Sequence, residues 1–236
     1  FWVTELLRAV MVPRAVITSK GTASDIVAIF KGGTSLSKVY EIIDRFSEDV
    51  DLLIAFPDAL SERQRDSTLK AICSDVQSAL GLEDTQVQLA FSKKGIARNV
   101  RFLYSQDSAP GGALSEGVLL EMGSRGGPYP TTTSRVRSLI AQFAIETLDV
   151  AEHEWDEFAP VSLTALSPER TLLEKLTLLH DAVSRLPDSE TNLRAAGRHF
   201  YDIHQLLNDH RTITSLRELG QDGVRKLCAD IDTRSQ

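Results

Sequence analysis

The sequence predicts an α/β (α+β) fold: a small mixed sheet flanked by helices over residues 1–150, then a mostly helical region over 151–236. Three observations lead there. Before about position 150, apolar runs of strand length such as Asp25–Phe30 and Leu52–Phe56 alternate with helical patterns. After Pro160 the apolar residues fall mainly at helical spacing. No run approaches the roughly 20 apolar residues of a membrane helix, while 42% hydrophobic residues over 236 positions are enough to bury a sizeable core.

The elements follow in chain order. Phe1 to about Val12 reads as a helix with Leu6, Leu7, Val10 and Met11 on one face. Asp25–Phe30 is a strand ending at Lys31-Gly32-Gly33. Thr34 or Ser35 is then placed to cap a helix running to Phe46, with Leu36, Val39, Tyr40 and Ile43 at helical spacing. Glu48–Phe56 is the next strand, stopped by Pro57. Ser61–Leu80 is a helix with a capping pattern, Ser61 followed by Gln64. Strands are expected near 86–91 and 99–104, a loop over 109–117, a strand over 117–122 and a Gly/Pro/Thr loop over 123–133. Ser167-Pro168-Glu169 opens a helix to about Leu186, with proline at its first position. A turn over 186–191, a helix over about 191–208 and a third helix from Thr214 or Ser215 complete the reading.

The net charge of −7 has the wrong sign for a chain that coats nucleic acid indiscriminately. The charge is uneven, however: residues 91–140 hold seven basic groups against three acidic ones, a local +4 against −11 elsewhere. Such a window is either a solvated surface or a basic face able to orient a polyanion. Cys73 and Cys228 make neither a C-x-x-C pair nor a zinc spacing. The expectation is two reduced thiols in a cytoplasmic protein, although a disulfide between them is compatible with the sequence. The chain opens at Phe1 rather than Met, so a preceding segment is expected. The first twelve residues lack the basic start and long apolar centre of a secretion signal.

Three local features carry chemistry. Lys31-Gly32-Gly33-Thr34-Ser35 joins a strand to a helix. Its glycines permit a tight turn and close backbone approach, and the helix start offers free N–H groups suited to phosphate. It matches neither a P-loop nor a dinucleotide fingerprint, and a plain turn is the alternative. Asp49-Val50-Asp51 opens a strand, where i and i+2 point the same way, roughly 6.6 Å apart. Two such carboxylates repel unless a cation lies between them. Hard oxygen ligands without His or Cys favour Mg²⁺ over zinc; a polar strand end reaching solvent is the other reading. Glu121 stands in the apolar Gly117–Met122 run, where a carboxylate needs a metal or an ion pair such as Arg125.

Together, Gly-Gly-Thr, a D-x-D strand and a later apolar-Glu-apolar strand resemble the polymerase-β type of nucleotidyltransferase. The wording of residues 30–54, FKGGTSLSKVYEIIDRFSEDVDLLI, resembles the signature of the AbiEii/AbiGii-type nucleotidyltransferase toxins of type IV toxin–antitoxin and abortive-infection systems. FWVTELLRAV resembles that family's N-terminal helix, without the acidic-Lys-acidic lead-in, and LLEMGSRGGPYP resembles the segment bearing its third carboxylate. SPERTLLEKLTLLHDA and AGRHFYDIHQLL resemble its two C-terminal helical motifs.

The resemblance implies a nucleotidyltransferase domain over 1–150 and a helical domain over 151–236 that completes the active site. It implies that Asp49, Asp51 and Glu121 bind Mg²⁺ (or Mn²⁺), Glu121 also being a candidate base. It implies that Gly32, Gly33, Thr34 and Ser35 cradle the phosphates of a nucleoside triphosphate substrate. Lys175, rimmed by leucines, either snorkels to solvent or, as the family motif implies, reaches the triphosphate and neutralises the leaving pyrophosphate. Asp202 either pairs with Arg198 one turn back or, by the motif, acts in the site, aiming Lys175 or assisting proton transfer. Arg45 and Lys31 beside the signature are either phosphate-positioning or structural. His199 and His204 read as surface or satisfied core histidines.

The implied reaction is attack of an acceptor hydroxyl on the α-phosphate, with pyrophosphate leaving. The implied acceptor is RNA, with the tRNA 3′ end foremost, so that translation stops; the basic window at 91–140 is placed to guide it. A separately encoded antitoxin and a cytoplasmic location go with this reading. The alternatives are nucleotidyl transfer to a small molecule or a protein, and a non-catalytic nucleotide-binding regulatory domain.

Overall fold

The computed structural model describes residues 1–18, 21–45, 47, 49–104, 117–184, 191, 193–194 and 196–235. The loop expected over 109–117 and the turn expected over 186–191 lie almost entirely outside them. The elements in chain order are α1 (Trp2–Val10), β1 (Arg14–Ile17), β2 (Ala23–Lys31), α2 (Gly32–Lys38), β3 (Asp49–Ala55), α3 (Glu62–Ala79), β4 (Val87–Lys93), β5 (Ala97–Leu103), β6 (Gly117–Gly123), β7 (Thr131–Val136), α4 (Leu139–Thr147), β8 (Val161–Leu166), α5 (Pro168–Ser184), α6 (Gly197–Asn208) and α7 (His210–Ser235). The last is broken at Gly220, which takes φ 63° and ψ 178°.

The strands form one mixed eight-stranded sheet in the order β4-β5-β6-β3-β2-β8-β7, with β1 paired to the N-terminal half of β2. The β3–β6 and β2–β8 pairs are parallel and the others antiparallel. Alternation along β3 sends Val50, Leu52 and Ile54 into the main core, against Leu6, Leu7 and Val10 of α1 and Leu69, Ile72 and Val76 of α3. Each such buried side chain contributes about 1.5–3 kcal/mol relative to exposure. The same alternation leaves Asp49 and Asp51 on the opposite face. There a second cluster joins Leu36, Ile43, Leu172, Ile203 and Leu206, fastening α5 and α6 to the segment around α2.

Several expected elements are corrected. The helix after Gly33 does not run to Phe46: it begins at Gly32 and ends at Lys38. Glu41 then takes a positive φ of 56°, turning the chain so that Ile43 reaches the α5–α6 cluster while Val39 stays against the main core. Thr34 and Ser35 do not cap it; Lys31 stands at that position. Thr131–Val136, expected in part as loop, is the polar edge strand β7. Val161–Leu166, in the region expected to be mostly helical, is β8, seated between β2 and β7. The last helix starts at His210, earlier than Thr214, because the Asp209 carboxylate accepts from the Thr212 amide (2.8 Å) and hydroxyl (2.7 Å).

The basic window at 91–140 does not gather into one face. Lys93, Arg98 and Arg101 belong to β4 and β5 at one end of the sheet, while Arg135 lies on β7 at the other. No described helix is long and apolar enough to cross a membrane.

Candidate active site

Strand register assembles one wall. Asp51 lies opposite Lys31 of β2 and opposite Glu121 of β6, and Glu121 lies opposite Asn99 of β5. The Asn99 amide donates to Glu121 Oε1 at 2.7 Å. Burial, with the hydrogen bond and charge of Asp51, pushes the Glu121 carboxyl up to about 7. Burial likewise raises Asp51. Without a cation, Glu121 is therefore only partly ionised near neutrality, and its proton lies between the two carboxyls.

The glycine turn abuts this wall. Gly32 takes φ 78°, and a Cβ there would overlap the Asp51 carboxylate; a Cβ on Gly33 would overlap the Arg45 guanidinium. Both glycines line the cleft in front of the carboxylates. Thr34 and Ser35 lie behind it, 1% and 0% exposed. The Thr34 hydroxyl bonds the Asp49 carbonyl and Ser47 Oγ, and Ser35 Oγ donates to the Gly32 carbonyl at 2.9 Å. Their side chains thus brace the turn from within.

Helices α5 and α6 form the other wall. Thr171, Glu174, Lys175 and Leu178 recur at helical spacing along one face of α5. Lys175 does not snorkel to solvent: its ammonium, buried in the wall, donates to Asp202 Oδ2 at 2.8 Å. Arg45 grips the same carboxylate with two hydrogen bonds, Nε to Oδ1 at 2.7 Å and Nη2 to Oδ2 at 2.8 Å. Burial alone would raise the fully buried Asp202; the Arg45 and Lys175 hydrogen bonds outweigh it and hold its pKa below the ordinary carboxylate value. Arg198 does not pair with Asp202 along the helix; it reaches across to Asp49 Oδ2 at 3.3 Å. Lys31 faces Glu174 at 3.8 Å. Glu174 in turn accepts from the buried Arg170, which also bonds Asp230 of α7 and the Tyr129 carbonyl.

The walls enclose a cleft of about 260 Å³, lined by Asp49, Asp51 and Glu121 on one side and by Glu174, Lys175, Arg198 and His199 on the other. Each expected strand carboxylate, both glycines and Lys175 thus meet at one place, with Asp202 immediately behind Lys175. Three contributors take roles other than those expected: Arg45 is the Asp202 clamp, Arg198 is the Asp49 partner, and His199, expected at the surface or in the core, lines the cleft. The sequence signal for Arg198 and His199 was their place one turn before Asp202 on the same helix. His204 is exposed, beside Asn208, as expected. Among the described residues no group of three or more His, Cys, Asp or Glu side chains forms a ready-made metal cage. The donor set nevertheless fits a hard divalent cation: carboxylate oxygens, no thiolate, and a crowded Asp51–Glu121 pair whose shared proton such an ion would replace.

A search of curated proteins finds no match. The family model described as the nucleotidyl transferase AbiEii toxin, type IV toxin–antitoxin system, matches residues 22–232. That span takes in β2 through nearly all of α7, and with them every residue of the cleft, and leaves α1 and β1 ahead of it. With the match covering both walls, the chain belongs to the AbiEii family of nucleotidyl transferase toxins of type IV toxin–antitoxin systems.

Proposed function

We propose that this chain transfers a nucleoside monophosphate from a nucleoside triphosphate to an RNA acceptor, foremost the 3′ end of tRNA, so that translation stops in the cytoplasm. The observation that carries the reading is one cleft in which strand carboxylates face a lysine locked by a buried aspartate. In this reading residues 151–236 complete an active site founded on residues 1–150.

Asp49, Asp51 and Glu121 are the residues to hold Mg²⁺ or Mn²⁺, which when bound supplies neutralisation of the phosphate charge. Gly32 and Gly33 let the backbone approach the phosphates. Lys175 meets the charge that develops on the leaving pyrophosphate, as a fixed point charge needing no reorganisation. Asp202 and Arg45 keep its ammonium in place. The acceptor hydroxyl attacks the α-phosphate and gives its proton to the ionised form of Glu121, its oxygen forms the new P–O bond, and the bond to pyrophosphate breaks. A type IV toxin family implies a separately encoded antitoxin.

The test is incubation with Mg²⁺, each α-labelled nucleoside triphosphate in turn and total cellular RNA, resolved on a denaturing gel. Label in a tRNA-sized band is expected, falling at least about 100-fold in Asp49→Ala and Lys175→Ala, with growth inhibition lost in parallel. Labelled protein or small molecule in place of RNA would move the acceptor. Nucleotide binding without pyrophosphate release would replace the enzyme with a regulatory domain.

A further inference from the structure

His199 belongs to neither charge cluster, yet it lines the cleft. Its Nδ1 lies 3.4 Å from Lys175 Nζ, the atom that also holds Asp202. An ammonium has three hydrogens and nothing to accept with. The contact therefore works only if Nδ1 carries a lone pair, which puts the ring hydrogen on Nε2. The ring is also uncharged: burial, then the neighbouring Lys175 and Arg198, push its pKa down to about 4, against the opposing pull of Asp202. Among the described residues, Nε2 makes no hydrogen bond. Lys175 thus sets the tautomer of a neutral ring that keeps one unspent N–H donor at the cleft.

We propose that His199 is a substrate-contacting residue whose Nε2–H donates to the phosphate chain of the nucleotide beside Lys175. The proposal rests on the nucleotidyltransferase reading and extends it to a second, uncharged phosphate donor. The two donors differ in kind. Lys175 carries charge and acts at distance, whereas a neutral N–H acts only when an oxygen sits in line with it, so His199 fixes where the chain lies.

The experiment is calorimetric titration of the full chain with inorganic tripolyphosphate and Mg²⁺, a probe with no base or sugar. His199→Phe, which keeps a ring and removes both nitrogens, should weaken binding about tenfold. His199→Gln, which keeps an N–H donor, should recover most of that, with thermal midpoints showing that both variants are folded. The ratio of wild-type to His199→Gln affinity should stay flat from pH 8 to 6; a ratio that climbs as pH falls would mean a charged imidazolium and overturn the neutral-donor assignment. Unchanged affinity in His199→Phe, while Lys175→Ala abolishes binding, would overturn this proposal alone. Equal binding by wild type and Lys175→Ala, or none by either, would overturn the phosphate site and this proposal with it.

Discussion

Glu121 and Asp202 are both carboxylates at the same cleft, one on a strand and one on a helix, and their proton affinities move in opposite directions. Glu121 is crowded by Asp51 and receives one neutral hydrogen bond, from Asn99, so it tends toward the acid form. Asp202 is more deeply buried, yet three hydrogen bonds from Arg45 and Lys175 keep it ionised. Burial is therefore not what sorts them; the partners are. The strand wall keeps more carboxylates than cations: Arg198 reaches Asp49, while Asp51 and Glu121 are left crowded against each other. The helix wall brings its own cations and is electrostatically closed before any substrate arrives.

Breaking the closed wall should have the largest effect. Asp202→Asn leaves the Lys175 ammonium and the Arg45 guanidinium without their carboxylate and should cost about 3–5 kcal/mol in denaturant unfolding. Asp51→Asn, measured in a chelator, should change stability by less than about 1 kcal/mol or raise it, because a like-charge contact disappears. Comparable losses in the two variants would erase the distinction between the walls.

An intermediate effect is expected from pH. The folded pKa of His199, about 4, lies below its ordinary 6.5, so the folded chain refuses a proton that the unfolded chain accepts. The associated stability is whole above about pH 6.5 and drains away as pH falls toward 4. Thermal midpoints at pH 7.5, 5.5 and 4.5 should therefore fall less steeply in His199→Gln than in wild type. Parallel slopes would remove the burial argument for the ring.

The smallest effect belongs to the bridge between the walls. Arg198 is 57% exposed at its side chain and touches Asp49 at a single 3.3 Å contact. Arg198→Ala should change stability by under about 1 kcal/mol, checked by the same denaturant series.

The two walls also differ in how much of them the sequence revealed. Asp49, Asp51 and Glu121 were legible because period-2 alternation predicts the face a strand residue takes. Lys175 and Asp202 were legible as members of helical motifs, and Asp202 aiming Lys175 was one of the roles those motifs implied. Arg45 was ambiguous because its partner is 157 positions away, and local spacing says nothing about such contacts. Arg198 illustrates the converse: helical spacing offered it Asp202, and the tertiary fold gave it Asp49 instead. In the fold, β3 and α3 followed from alternation and a capping box. β7 was missed because Thr131-Thr132-Thr133 reads as loop beside Gly and Pro, and only its pairing with β8 makes it a strand. α2 was overextended because the apolar spacing of residues 36–43 serves two separate cores rather than one helix face.

The position of β8 and α6 within this architecture has a consequence for the order in which the chain is made. Glu121 precedes Asp202 by 81 positions, and β8, which joins β2 to the edge strand β7, is translated between them. A ribosome has released every strand carboxylate long before it adds the residue that fixes Lys175. A prematurely terminated product ending before position 202 can display the acidic wall but not its counterpart.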